Sequence, residues 1–262
     1  MGVAQTFNVG GKPAQKQQEK PGQASPQGQQ LGWGSSIQNA RLARAATDAL
    51  NNHDYAAAVN YAQHAVEAAP NDPQLWLLLG YAARMAGKSE LSLQAYQKGL
   101  QLAPSSLDAL AGMARTYNSM GQRAEAIRLL TQTTNANPKR GDDLLMLGDL
   151  LLQSQQYDQA LTALGKAEQA SPSARAELLM ATCYRRLNQR DKANHYLDLA
   201  KRRAPNNPDV RRALAAFYRE SGDYASAISA LKPVETSAPT LRPSWLTPTS
   251  LPGKKMKRRN CM

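Results

Sequence analysis

Two phenylalanines, three tryptophans, two cysteines and three histidines are all that the 262 residues hold of these types. Each scarcity removes a class of protein. Cys183 and Cys261 cannot build a disulfide framework, and their spacing suits no metal. His53, His64 and His195 lie far apart, without a second ligand at metal spacing. No apolar run reaches the roughly 18 residues a membrane helix needs, and the N-terminal stretch lacks the apolar centre of a signal peptide. Gly-x-Ser-x-Gly, a phosphate-binding glycine loop and His-Glu-x-x-His are all missing. No catalytic residue, metal site or cofactor is therefore expected, and the chain is expected not to be an enzyme. The expected location is cytoplasmic by default; a segment preceding Met1 would make it periplasmic.

The residues that are present point to helices. Hydrophobic residues make up 42% of the chain but aromatics only 6%. The apolar content is thus mostly Ala and Leu, which lose little side-chain freedom in a helix. The expected fold class is all-α. The net charge is +12. Six of those charges come from Arg242, Lys254, Lys255, Lys257, Arg258 and Arg259, which have no acid among them. The basicity is a property of one tail more than of a folded face.

The prolines disclose the organisation. Pro70, Pro104, Pro138, Pro172, Pro205 and Pro239 are spaced 34, 34, 34, 33 and 34 residues apart. That period divides the chain into six units: 39–72, 73–106, 107–140, 141–173, 174–207 and 208–241. The eighth residue of each is small: Ala46, Gly80, Ala114, Gly148, Ala181 and Ala215. So is the twentieth: Ala58, Ser92, Ala126, Ala160, Ala193 and Ala227. Two helices need small residues where their axes come closest. Between the helices stand Gly87, Gly121, Gly222 and Asn188, which tolerate the left-handed conformation that ends a helix. The recurring proline ends the second helix.

The second unit reads Trp76-x2-Leu79-Gly80-x2-Ala83, then Ser92-x3-Tyr96, then Pro104; Tyr117, Tyr184 and Tyr218 supply the tyrosine in other units. This pattern resembles the tetratricopeptide repeat family. The resemblance implies a right-handed superhelical solenoid of six helix–turn–helix units. It further implies that the first helix of each unit lines a concave groove for a protein or peptide. The second, fifth, ninth, twelfth and thirteenth positions of that helix would supply the contacts. Carried onto this chain, they give Leu77, Tyr81, Arg84, Arg115, Asn118, Asp149, Arg185, Arg212 and Arg219 as peptide-binding residues. The expected occupant is an extended segment, apolar near Leu77, Tyr81 and Met85 and acidic toward the far arginines, whose planar forks suit carboxylates. Pairing of those arginines with acids on neighbouring helices is the alternative. The clamp of chaperone-tail binders is absent, because Ala43 and Thr47 replace its lysine and asparagine.

Outside the array, residues 1–38 are Gln-, Pro- and Gly-rich and are expected to be disordered, with Trp33 and Ile37 docked on the first helix. Residues 242–262 are expected to form a disordered basic tail. The run Lys254–Arg259 lacks aromatic interleaving and a folded platform, so nucleic acid is not the expected partner, and support for a membrane surface is weak. Pro233 is expected to stop or kink the last helix near Leu231. Asp142, Asp143 and Asp149 are expected to be a solvated helix start. The leading function is a scaffold or adaptor without turnover. The alternative is the repeat region of a larger bacterial cell-envelope or polysaccharide-export protein.

Overall fold

The computed structural model describes residues 37–237. The expectations for residues 1–36, for Trp33 and for the basic tail lie outside them. Among the described residues there are twelve α-helices and no strand, arranged as six consecutive pairs. The first helices of the pairs are α1 (Ile37–Asn51), α3 (Pro73–Met85), α5 (Leu107–Ser119), α7 (Gly141–Gln153), α9 (Ala174–Arg186) and α11 (Pro208–Glu220). The second helices are α2 (Tyr55–Ala68), α4 (Ser89–Leu102), α6 (Arg123–Ala136), α8 (Tyr157–Ala170), α10 (Arg190–Arg203) and α12 (Tyr224–Ser237).

Local chemistry sets these boundaries. Asp72, Ser106, Ser173 and Asn207 cap α3, α5, α9 and α11 by accepting a backbone N–H with their side chains, and Pro73 and Pro208 occupy first-turn positions where no N–H is needed. Helices α2, α4, α6, α8 and α10 each end two residues before the recurring proline. Proline pushes the residue before it out of the helical region, and the capping residues Ala69, Ala103, Asn137, Ser171 and Ala204 all have φ between −136° and −154°.

The turn inside each pair is more uniform than its sequence. Gly87, Gly121, Gly222 and Asn188 have positive φ as expected, but so do His53 (60°) and Gln155 (61°) in the two units without glycine or asparagine there. In every unit the next residue's N–H reaches back to a carbonyl five residues earlier, as in Lys88 to Ala83 and Gln156 to Leu151. This is the Schellman closure, and it requires the left-handed residue whatever its side chain.

Each pair packs on the next. One core cluster joins α1–α4, a second runs from Leu77 to Cys183, and a third joins α9–α12. The small residues sit at the close approaches: Ser92 Oγ donates to the Gly80 carbonyl at 2.8 Å, and a side chain on Gly148 would run into Leu164. Two expectations need correction. Of the stop or kink expected near Leu231, the stop does not occur: helix α12 runs past Pro233 to Ser237. Proline removes one hydrogen bond, to the Ser229 carbonyl, and the rest of the turn holds. Ile37 is not docked but stands 76% exposed at the start of α1.

Candidate functional site

A cleft of about 600 Å³ runs across α3, α5, α7 and the start of α9. Tyr81 and Arg84 form one wall. They are three residues apart on α3 and therefore share a face; the Arg84 guanidinium carbon lies 5.0 Å from the centre of the Tyr81 ring. Leu145, Met146 and Leu150 of α7 give the cleft an apolar floor, and Asp142, Asp149, Gln153, Ser171, Ser173 and Arg175 complete the far wall.

Tyr96 comes up between α3 and α5 from the opposite layer. Its ring occupies the space that side chains on Gly80 and Gly112 would need. Burial pushes its hydroxyl up to about 12, and the nearby positive charges of Arg84 and Arg115 act in the opposite direction.

Most charges in the cleft are committed. Arg115 donates to Asp143 at 2.6 Å, and Arg140 bonds both Asp143 and, at 2.9 Å, Asp108. Burial opposes the Arg140 charge, but the two carboxylates outweigh it and hold the guanidinium above its ordinary value. Asp149 accepts from Gln153 at 3.1 Å and from Arg175 at 3.2 Å. Asp143 is thus not part of a solvated helix start: it is 1% exposed, because it stands where the neighbouring units carry Leu75 or Ala109 in their cores. Two arginines make that burial tolerable.

The structure brings Tyr81, Arg84, Arg115, Asn118 and Asp149 together in the cleft. Leu77 is a correction. It was expected in the groove but is 3% exposed, because it turns toward α4 and fills the space left by Gly99. Arg185, Arg212 and Arg219 lie farther along, on α9 and α11, outside the cleft. Arg185 pairs with Glu220 at 3.2 Å and Arg212 pairs with Asp209, whereas Arg219 is exposed with no ion pair among the described residues. Met146, Ser171 and Ser173 were not anticipated. The available signal was the short fourth unit, whose closing loop carries both serines and is one residue shorter than its counterparts.

A profile of the tetratricopeptide repeat family matches residues 43–106, and a second profile of the same family matches 83–148 and 151–217. The second alone spans more than half of the chain. The chain belongs to the tetratricopeptide repeat family. No curated protein matches this tetratricopeptide repeat sequence. Solved structures share its fold. A tetratricopeptide repeat protein from Parabacteroides merdae has a TM-score of 0.66 and 21% identity, covering 77% of this chain and 80% of that one. The pilF protein of Pseudomonas aeruginosa has a TM-score of 0.65 and 17% identity, covering 77% and 93%. YrrB, described as a tetratricopeptide repeat protein with an unusual peptide-binding site, has a TM-score of 0.56 and 20% identity, covering 69% and 93%. At such identities the likeness speaks for the fold alone. Among the described residues, this repeat array has no group of three or more potential metal ligands and no helix long and apolar enough to cross a membrane.

Proposed function

We propose that the chain is a non-catalytic interaction scaffold that binds an extended segment of another protein along its concave face, centred on the cleft between α3 and α9. The observation that carries this is the cleft's make-up. An aromatic wall and an apolar floor lie beside hydrogen-bonding side chains, in a trough open along the array. Such a surface suits a backbone with alternating side chains better than a small molecule, which favours a closed apolar cavity. Tyr81 and Leu145 offer desolvated contact area, while Asn118, Gln153 and the two serines offer hydrogen bonds. A peptide-binding site in YrrB, a protein of similar fold, supports the same reading. Arg185, Arg212 and Arg219 would extend the contact toward α11.

The test is affinity capture with the full chain against a variant whose cleft is filled, Asn118→Trp, read by quantitative mass spectrometry. Asn118 is exposed on α5, so the bulky side chain burdens the groove and not the core. Partners retained by the wild type and lost by the variant are expected. If every captured protein binds both equally, the groove is not the binding surface.

A further inference from the structure

The cations along the concave face divide by whether they have a carboxylate. Arg115 has Asp143, Arg175 has Asp149, Arg185 has Glu220 and Arg212 has Asp209. A carboxylate arriving at any of these must displace one already there, so the net gain is small. Arg84 differs. Among the described residues no acid lies within ion-pair distance of it, although it lines the cleft and is half-buried. Its Nε–H is buried with no acceptor among the described residues. The Tyr96 hydroxyl faces the guanidinium as a neutral partner and the C-terminal end of α3 supports its charge, but neither supplies a carboxylate. The Tyr81 ring below holds the guanidinium plane in place, so little freedom remains to be lost on binding.

The opposite wall also has an unpaired charge, that of Asp142. It is exposed in the first turn of α7, where the positive end of the helix dipole favours a carboxylate. Within the cleft the unmet demand is therefore one-sided. It lies at Arg84, and Asn118, which holds the same position one unit along on α5, offers an amide donor to the same wall.

We propose that Arg84 is the acid-reading position of the groove: it receives the side-chain carboxylate of an Asp or Glu in the bound segment. This rests on the groove reading above. It also moves acid recognition from the far arginines of α9 and α11 to the α3 wall, so that acid and apolar contacts fall in one short stretch of the partner.

The test uses random-sequence peptides displayed on phage and selected on the immobilised full chain, with clones that also bind Asn118→Trp discarded. The remaining peptides are synthesised and their affinities measured. Enrichment of Asp or Glu at one register is expected. Changing that residue to its amide should weaken binding by about 10-fold or more, as loss of a charge-assisted hydrogen bond does. Arg84→Gln should produce the same loss, and the two changes together should do no further harm. Arg84→Lys, which keeps the charge and loses the fork, should fall between. Arg175→Gln and Arg212→Gln should leave affinity within about 3-fold. The peptide-side change reads the interaction even if an Arg84 variant melts early. Groove-dependent peptides with no acidic preference would overturn the proposal and leave the scaffold reading standing. So would peptides that lose affinity only when their C-terminus is amidated. Recovery of no groove-dependent peptide would overturn both.

Discussion

Tyr96 of α4 stands against the bare backbone of Gly112 on α5, in the space a Cβ there would take. The contact crosses from one unit to the next, so it fixes how the second and third pairs stack. An aromatic ring has no flexible end that can move aside. Gly112→Ala should therefore cost about 1–3 kcal/mol despite alanine's better helix propensity. Gly165→Ala is the control, because nothing lies within 4 Å of its added Cβ in α8. It should stabilise by about 0.5–1 kcal/mol. Urea unfolding of the two variants reads both signs, and a stabilised Gly112→Ala would mean the ring is not wedged there.

Gln155 adopts φ 61° in the turn between α7 and α8, where three other units have glycine. A left-handed conformation costs a residue with a Cβ roughly 1–2 kcal/mol, part of which glycine returns through unfolded-state freedom. Its side chain is exposed and makes no hydrogen bond among the described residues. Gln155→Gly should raise the melting temperature, by about 0.5–1 kcal/mol in stability. A lowered melting temperature would show that the side chain supports the turn.

The turns show what the sequence made visible. The period, the helix pairs and the turns at Gly87, Gly121, Asn188 and Gly222 could be read because proline, glycine and asparagine have strong backbone preferences. His53 and Gln155 have none, so tertiary packing imposes their conformation without a signal. The same holds for the site. Tyr81, Arg84, Arg115, Asn118 and Asp149 fall in the cleft because a fixed helical period puts those positions on one face. Leu77 does not, because its direction depends on Gly99 of α4, a cross-helix relation that spacing within α3 cannot carry. Gly112 escaped notice for a similar reason: it stands outside the small positions that repeat and answers to a single ring.

The two kinds of ion pair in the groove should behave differently. Asp143 is buried and bonded by both Arg115 and Arg140. Asp143→Asn leaves Arg115 without its anion and Arg140 with Asp108 alone, and should cost about 3 kcal/mol. The Arg175–Asp149 pair is mostly exposed on the arginine side, so Arg175→Gln should change stability by less than about 1 kcal/mol. Denaturant midpoints for the two variants check the contrast, and similar values for both would refute it.

Alkaline conditions should loosen the array through two buried acids. Burial pushes the Cys183 thiol from 9.0 up to about 11 and the Tyr96 hydroxyl from 10.0 up to about 12. In each window the unfolded chain has released a proton that the folded chain still holds. Rising pH therefore favours unfolding. The stabilisation is complete below pH 9.0 and declines for Cys183 as pH climbs toward about 11. Cys183→Ala should start less stable, since it leaves a small void, but lose less stability across that window than the parent. Parallel pH profiles for the two proteins would argue against the assignment.

The last unit should open first. Leu130, Leu164 and Leu197 hold the same place in α6, α8 and α10, and each is buried because a following pair covers it. Their counterpart in α12 is Leu231, which is 38% exposed, with Ile228 at 59% and Tyr224 at 66% on the same helix. In a repeat array each pair is stabilised by its neighbours, so a pair with a neighbour on one side among the described residues lacks one interface term. Pro233 removes a hydrogen bond from the same helix. Amides of α12 should then exchange with solvent faster than those of α4, α6 and α8, and α11 should follow α12 before α9 is affected. Hydrogen–deuterium exchange read by mass spectrometry resolves these helices. Protection in α12 equal to that in α8 would mean that the Tyr224–Leu231 face is covered in solution.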